Sequence, residues 1–255
     1  MKAVILAGGL GTRISEETHL KPKPMIEIGD LPLLMHIMRN FSGQGFNEFV
    51  ICLGYKGYVI KEYFAKLKYH LNDMHVDFSA ENPYMVDKTP IDWKVDLVDT
   101  GLNTLTGGRL KRIKKYTKSE PFIMTYGDGL ADLNIQELLK FHREKGRLAT
   151  VTAVKPPARF GALEIDDSGI VNSFAEKFDS SSNWINGGFF VLEQGIFDFI
   201  EGDSTVWEKD PLVQLTNKNE LSAFKHYGFW KPCDTLREKH ELQQIWESGA
   251  PWKNW

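Results

Sequence analysis

The stretch Ala3-Val4-Ile5-Leu6-Ala7-Gly8-Gly9-Leu10-Gly11-Thr12-Arg13 is the most informative part of the chain. Its first residues, Ala3 to Leu6, predict a buried strand that runs directly into a loop containing three glycines. Glycines leave backbone N–H groups open to a ligand, and Arg13 adds a planar cation that suits phosphate oxygens. Because open α/β sheets bind ligands at the carboxyl ends of their strands, this loop is a candidate triphosphate site.

Two other glycine-rich loops do not fit the same residues. A P-loop ends in Gly-Lys followed by Ser or Thr, whereas Gly11 is followed by Thr12 and Arg13. A dinucleotide fingerprint needs a glycine three residues after Gly11, and that position is Ile14. A simple turn remains an alternative, although a turn seldom needs three glycines and an arginine after a buried strand.

Composition limits the class of protein. With 255 residues, 42% of them hydrophobic and 25% charged, the chain can bury a full core as a single domain covering residues 1–255. A net charge of −3 gives no basic excess for nucleic acid, so we expect no such partner. Cys52 and Cys233 show no metal-binding spacing, which favours a reducing compartment. No leader segment or membrane-spanning run is evident, so we expect a cytoplasmic protein without membrane insertion.

Strand and helix patterns alternate through the first half of the chain, up to a helix that ends near Lys145. This alternation predicts an α/β fold that is Rossmann-like and doubly wound, around a mostly parallel, mixed sheet. The second half has short strands joined by brief turns, which predict a small antiparallel annex, and residues 235–247 predict a final helix. Trp252 and Trp255 near the end suggest a subunit contact, or docking on the body of the same chain.

Two further segments carry residues suited to phosphate chemistry. Prolines in Lys21-Pro22-Lys23-Pro24 predict an extended segment whose two lysines project to the same side. Such lysines are usually solvated, but near a phosphate loop one of them could stabilise charge at a reacting phosphorus. Asp128 follows the buried strand Phe122–Tyr126 directly, where a carboxylate suits Mg²⁺. The alternative for Asp128 is a common Asp-Gly turn.

Three weaker motifs complete the set. Thr104 and the run Thr106-Gly107-Gly108-Arg109 precede a predicted helix, whose start could serve an anion or a base edge or could simply be capped. By themselves, Glu176-Lys177 and Asn186-Gly187-Gly188 would be a surface charge pair and a bulged strand.

In this order, the motifs from Leu6 to Asn186-Gly187-Gly188 resemble those of the sugar-1-phosphate nucleotidyltransferases, and the resemblance covers essentially the whole chain. Segments such as Gly54–Phe64, Thr106–Leu110 and Arg159–Leu163 are similar to the cytidylyltransferase branch of that family. The resemblance implies transfer of CMP from CTP to glucose 1-phosphate by in-line attack, with release of pyrophosphate. It also implies a bacterial enzyme that supplies CDP-glucose for dideoxyhexose, O-antigen and lipopolysaccharide synthesis, and a homo-oligomer, by resemblance a hexamer.

The resemblance also implies roles for individual residues. Arg13, Lys23 and Asp128 would be catalytic, and Asp128 with Asp234 would bind Mg²⁺. The nucleotide half, about 1–130, would hold CTP through Leu6, Ala7, Gly8, Gly9, Leu10, Gly11, Thr12, Arg13, Lys23, Thr104, Arg109 and Asp128. The other half, about 131–255, would provide oligomer contacts and hold the sugar phosphate through Glu176, Lys177, Asn186, Gly187 and Gly188.

Two other functional classes are weighed against this one. A metal-dependent glycosyltransferase usually places two metal-binding aspartates one residue apart, whereas Asp128 and Asp132 are four apart. A non-catalytic nucleotide-sugar sensor could lose Arg13, Lys23 or either aspartate, and this chain has all of them. Another base or sugar within the same family is a third alternative.

Overall fold

The computed structural model describes residues 1–79, 81, 84–86, 91–117, 120–155, 162–165, 171–175 and 184–255. The strands are β1 (Ala3–Ala7), β2 (Glu27–Ile28), β3 (Leu31–Pro32), β4 (Glu48–Leu53), β5 (Met74–Val76), β6 (Tyr84–Val86), β7 (Lys94–Asp99), β8 (Phe122–Tyr126), β9 (Gly129–Ala131), β10 (Ala149–Val154), β11 (Ala162–Ile165), β12 (Val171–Ala175), β13 (Ile185–Leu192), β14 (Leu221–His226) and β15 (Trp230–Pro232). The α-helices are α1 (Ser15–Thr18), α2 (Leu33–Ser42), α3 (Gly57–His70), α4 (Thr106–Arg112), α5 (Ile135–Lys145), α6 (Asp210–Asn217) and α7 (Leu236–Glu247).

A seven-stranded sheet with the order β14-β10-β13-β8-β1-β4-β7 organises the fold. β1 lies between β8 and β4 and is parallel to both. β13 is antiparallel to β8 and to β10, so it is the one reversed strand among the seven described. The mostly parallel, mixed sheet predicted from the sequence is therefore confirmed, and the two-stranded antiparallel sheets β11–β12 and β15–β9 correspond to the annex.

Helices cover both faces of the sheet because its strands are apolar on both sides. Along β1, Ala3 and Ile5 belong to one buried cluster, and Val4 and Leu6 belong to the other. The first cluster includes residues of α2, α5 and α7, and the second includes residues of α4 and α6. In the described part of the chain, none of the helices combines the length and apolar composition needed to cross a bilayer.

Some elements have no clear signal in the sequence. Apolar periodicity does not predict helix α6, because most of its residues are not buried. It does not predict the hairpin of β2 and β3 either, because strands of two residues are too short to show a period. The segment around Lys23 is also different from the prediction. Lys23–Met25 form a 3₁₀ turn instead of an extended run, with the proline at a position where a turn tolerates it.

The aromatic tail docks on the body of the same chain. Trp252 is 1% exposed, and its indole N–H donates to Nδ1 of the buried His36 at 3.2 Å. The other ring nitrogen of His36 lies 2.8 Å from the carbonyl oxygen of Ile28, so the ring is neutral with its proton on Nε2. Asn40 donates to the Trp252 carbonyl oxygen at 2.8 Å. These bonds hold the end of the chain against α2.

This docking predicts a pH dependence of stability. Burial lowers the pKa of His36 below its ordinary value of 6.5, so protons bind the unfolded chain more readily than the folded one. The contribution of His36 is fully present above about pH 6.5 and is lost as the pH falls toward the lower folded pKa. Urea unfolding at pH 7.5 and pH 5.5 should show a smaller loss of unfolding free energy on acidification in His36→Gln than in the parent protein. The exposed His240→Gln is the control, and equal losses in all three proteins would contradict the prediction.

Candidate active site

A cavity of about 300 Å³ opens at the carboxyl ends of β1 and β8. Its walls come from the glycine loop after β1, from the turn at Lys23, from the start of α4 and from the end of β8. Most of the predicted nucleotide-binding residues line it, namely Leu6, Ala7, Gly8, Gly9, Gly11, Thr12, Arg13, Lys23, Thr104, Arg109 and Asp128. The side chain of Leu10 is 53% exposed and does not line this cavity.

The glycines after β1 serve different purposes. A Cβ on Gly8 would lie 2.1 Å from the Arg109 guanidinium, so Gly8 is required by a contact within the protein. Gly11 has a φ of +66°, and a Cβ there would lie 2.6 Å from Thr18. A Cβ on Gly9 would meet no described atom within 4 Å. Contacts within the protein therefore require glycine at positions 8 and 11, whereas at Gly9 the space for a Cβ is open, and all three glycines line the cavity.

Lys21 and Lys23 point in different directions, so the predicted common side for the two lysines was wrong. Lys21 pairs with Glu27 at 3.0 Å outside the cavity. Lys23 is only 8% exposed, and its ammonium lies between Asp128 and Asp234. The 3₁₀ turn that starts at Lys23 separates the two side chains.

Asp128 and Asp234 come together through a small sheet. β9 and β15 pair antiparallel with Gly129 opposite Pro232, and Cys233 donates its N–H to the Asp128 carbonyl oxygen at 2.9 Å. This pairing brings two residues from distant parts of the sequence to one place. Thr235 then caps α7, and the Glu238 carboxylate accepts from the Asp234 backbone N–H at 2.8 Å.

Four charges make up the polar centre of the cavity. Lys23 Nζ lies 2.5 Å from Asp128 Oδ2 and also contacts Asp234 Oδ1, and Arg13 Nη1 lies 2.6 Å from Asp234 Oδ2. Burial alone would lower the pKa of Lys23, but the two aspartates outweigh it and the pKa lies above its ordinary value. Lys23 therefore stays charged. The Arg13 side chain is 72% exposed, so much of this cation faces solvent.

The carboxylate pair fits a hard divalent cation. Mg²⁺ takes one or two carboxylates and completes its shell with substrate phosphates and water. Among the described residues, no group of three or more His, Cys, Asp or Glu side chains is arranged to hold a metal by itself. The donor set therefore suits a metal that is shared with a phosphate ligand. Burial raises the pKa of the neighbouring Cys233 to about 12, so its thiol is neutral at pH 7.

Arg109 ties three loops together beneath the cavity. Its side chain is buried, and its terminal nitrogens donate to acceptors on Leu53, Thr100, Gly101, Leu102 and Gly8 at 2.7–3.3 Å. Most of these acceptors are backbone carbonyl oxygens at the carboxyl ends of β1, β4 and β7. Arg109 thus fixes the shape of the cavity wall, and its Gly8 contact explains why the loop needs a glycine there.

The start of α4 is capped by protein. The N–H groups of Gly107 and Gly108 both point to the carbonyl oxygen of Thr205, at 2.9 and 3.3 Å. A Cβ on Gly108 would lie 2.5 Å from the Asp203 carbonyl oxygen, so this glycine allows close approach of another loop. Between the two expectations for this motif, capping is therefore the one that the structure supports.

A second, smaller cavity of about 80 Å³ adjoins the first, and Tyr126 and Asp128 line both. The run Asn186-Gly187-Gly188 forms part of its wall. These residues form a bulge in β13 opposite β10, with Gly188 at a φ of +81° and its N–H bound to Asn186 Oδ1 at 2.8 Å. The predicted residues Glu176 and Lys177 lie outside the described residues.

Glu208 and Tyr126 are site residues that the sequence did not single out. The Tyr126 hydroxyl donates to Glu208 Oε1, and Thr106 Oγ1 donates to Glu208 Oε2 at 2.6 Å. Tyr126 could have been noticed as the last residue of β8, two residues before Asp128. Glu208 stands in a loop far along the chain, and no local pattern marks it.

Asp132 lies apart from the charged centre. It pairs with His226 at 3.0 Å and does not line the main cavity. A glycosyltransferase arrangement, with two aspartates from this segment at one metal, is therefore not what the fold produces. Asp234 is the second carboxylate instead.

Comparison with known proteins shows the family to which the chain belongs. Residues 2–231 match the family model described as nucleotidyl transferase. Glucose-1-phosphate cytidylyltransferase of Salmonella typhi is 54% identical over the full length of both chains. A probable glucose-1-phosphate cytidylyltransferase of Bacillus subtilis is 44% identical, again over both full lengths.

Solved structures show the same fold. HddC from Yersinia pseudotuberculosis, complexed with GMP-PN, has a TM-score of 0.68 and 25% identity, covering 96% of this chain and 99% of its own. UDP-glucose pyrophosphorylase from Acinetobacter baumanii has a TM-score of 0.69 at 16% identity, covering 96% of this chain and 92% of its own, and shows the fold alone. The chain belongs to the nucleotidyl transferase family, in the group of the glucose-1-phosphate cytidylyltransferases.

Proposed function

We propose that this protein transfers CMP from CTP to glucose 1-phosphate and releases pyrophosphate, giving CDP-glucose. The observation that carries the proposal is the placement of Lys23, Arg13, Asp128 and Asp234 at one point of the cavity. The 54% identity to a glucose-1-phosphate cytidylyltransferase over the full chain supports the base and the sugar.

The reaction needs positioning more than a protein nucleophile. An oxygen of the glucose 1-phosphate phosphate forms a bond to the α-phosphorus of CTP, and the bond from that phosphorus to the bridging oxygen breaks. Pyrophosphate leaves with the bonding electrons. Both substrates are polyanions, so the protein must bring them together and neutralise the negative charge at the α-phosphate.

Lys23 and Arg13 supply that neutralisation. The ammonium of Lys23 stays charged within its pocket, and the guanidinium of Arg13 is exposed beside the same carboxylate. When phosphates enter the cavity, both cations can exchange a carboxylate oxygen for a phosphate oxygen. Such charge-assisted bonds are among the strongest that a binding site offers.

Asp128 and Asp234 would hold the divalent metal, which we assign as Mg²⁺. A divalent metal is typical of nucleotidyl transferases, and this carboxylate pair is the hard-oxygen donor set that Mg²⁺ prefers. When bound, the metal supplies positive charge at the phosphate oxygens and orients them. Lys23 currently occupies the position between the two carboxylates.

The main cavity takes CTP and the adjoining cavity takes the glucose ring. The two share the wall formed by Tyr126 and Asp128, and this supports the proposal that the reacting phosphates meet at that wall. By the family resemblance, Glu176 and the bulge Asn186-Gly187-Gly188 would contact the glucose ring, and Lys177 would hold the sugar phosphate. The resemblance likewise assigns Thr104 and Arg109, which line the main cavity, to the cytosine end.

A homo-oligomer, by resemblance a hexamer, is part of the same proposal. The tail does not support it by itself, because Trp252 is buried within its own chain.

The reaction is tested by measuring pyrophosphate release with Mg²⁺ and glucose 1-phosphate, comparing CTP, UTP, dTTP, ATP and GTP. We expect turnover with CTP and little with the other nucleotides, and a strong preference for glucose 1-phosphate over mannose 1-phosphate. A preference for another base would overturn the cytidylyl assignment. Nucleotide binding without turnover would favour the sensor function instead.

Asp128→Asn should lower kcat by at least about a hundredfold, because the variant loses one of two charges that hold the metal. Circular dichroism should stay unchanged. Asp132→Asn is the matched control, since Asp132 pairs with His226 outside the charged centre. Near-normal turnover of Asp128→Asn would remove Asp128 from the metal site.

Lys23→Met should bind Mn²⁺ without nucleotide more tightly than the parent protein, by about tenfold. The physical reason is that the ammonium of Lys23 competes with the metal for Asp128 and Asp234. Free Mn²⁺, measured by electron paramagnetic resonance, gives the affinity without any need for turnover. Lys21→Met, which changes a lysine outside the cavity, should behave as the parent protein does. An unchanged affinity in Lys23→Met would contradict this competition.

A further inference from the structure

Glu208 is a carboxylate that bridges two walls of the site without touching the charged centre. Its Oε2 accepts from the Thr106 hydroxyl at 2.6 Å, and its Oε1 accepts from the Tyr126 hydroxyl. Thr106 lines the main cavity, and Tyr126 lines both cavities. One side chain from a distant loop therefore holds a residue of the main cavity and a residue of the wall that the two cavities share.

The loop that carries Glu208 is fixed to the start of α4. Leu105 donates its N–H to the Asp203 carbonyl oxygen at 2.8 Å, and Trp207 donates its N–H to Thr106 Oγ1 at 2.9 Å. Asp203 also forms a two-point ion pair with Arg112, at 2.5 and 2.8 Å. The loop is thus attached at several points, and the Glu208 carboxylate adds a hydrogen bond from the Tyr126 hydroxyl.

Tyr126 transmits this contact to the second cavity. Its ring packs beneath Gly188, where a Cβ would lie 2.9 Å from Cδ2, and both residues line the second cavity. The position of Tyr126 thereby fixes the bulge of β13.

We propose that Glu208 is a positioning residue for both substrates, acting on the CTP cavity through Thr106 and on the sugar cavity through Tyr126. This inference rests on the proposed function, because it uses the assignment of the two cavities. A carboxylate is needed because it accepts two hydrogen bonds at once and donates none. A glutamine of the same shape offers one oxygen acceptor, so one of the two hydroxyl groups loses its partner.

Glu208→Gln should raise KM for CTP and KM for glucose 1-phosphate by about fivefold to tenfold each, with a smaller change in kcat. Tyr126→Phe removes only the bond to Oε1 and should raise KM for glucose 1-phosphate with KM for CTP little changed. Thr106→Val should raise KM for CTP and leave KM for glucose 1-phosphate little changed. Thr106→Ser, which keeps the hydroxyl, should have a KM for CTP close to that of the parent protein.

A purely structural role for Glu208 predicts a different pattern. Asp203→Asn weakens the attachment of the same loop without touching Tyr126 or Thr106, so it serves as the matched control. We expect Asp203→Asn to lower the melting temperature and to leave both KM values unchanged. If Glu208→Gln behaves in the same way as Asp203→Asn, the positioning role is overturned.

The coupling between Glu208 and Tyr126 is tested by the double variant. If Glu208 acts through Tyr126, adding Tyr126→Phe to Glu208→Gln should raise KM for glucose 1-phosphate little further. If the double variant instead raises KM for glucose 1-phosphate by the product of the two single-variant factors, the two residues act independently, and this result also overturns the inference.

Binding measurements separate this inference from the proposed function. Dissociation constants for CTP and for glucose 1-phosphate, measured by calorimetry on every variant, do not depend on turnover. A parent protein that binds both ligands but releases no pyrophosphate would refute the proposed reaction, and the same affinities would still support or overturn the role of Glu208. A parent protein that binds neither ligand would overturn both.

Discussion

A buried ammonium held between two carboxylates is the interaction on which the site depends. Lys23 is held between Asp128 and Asp234, and removal of any one of the three leaves an uncompensated charge in a partly buried place. The backbone contact from Cys233 to Asp128 makes the arrangement possible, because it joins the strand end that carries one aspartate to the helix start that carries the other. The charged centre is therefore a product of the whole fold, although each side chain belongs to a short local element.

A second constraint is the packing around Arg109. Its guanidinium fills the space next to Gly8 and binds carbonyl oxygens from the ends of neighbouring strands. A buried arginine of this kind adds to the backbone hydrogen bonds that already join these loops, such as the one from the Tyr55 N–H to the Gly8 carbonyl oxygen at 3.1 Å. The glycine loop after β1 is thus shaped from beneath by Arg109 and from the side by Thr18, and of its three glycines only Gly9 has open space where a Cβ would stand.

The sequence predicted the parts of the site that depend on strand ends. β1 with its loop and β8 with Asp128 follow from apolar runs that stop at glycines, and the sheet brings them together as expected. The position of Asp234 could not be derived in this way, because it depends on pairing between β9 and β15, which are three residues each. The direction of Lys23 was missed for a similar reason, since a single 3₁₀ turn changes it. Glu208 acts through side-chain contacts that have no period and no local signature.

The reversed direction of β13 has a consequence for how specificity can change. β1 and β8 enter the cavities at their carboxyl ends, whereas β13 contributes its first residues, because it is antiparallel to β8. The main cavity is therefore built from loops that leave the sheet, and the smaller cavity is built in part from the first residues of a strand. Substitutions at the start of β13 can reshape the smaller cavity while the loop after β1 keeps its geometry. Under the proposed function, selection for a new sugar and selection for a new base would thus act on separate stretches of the gene.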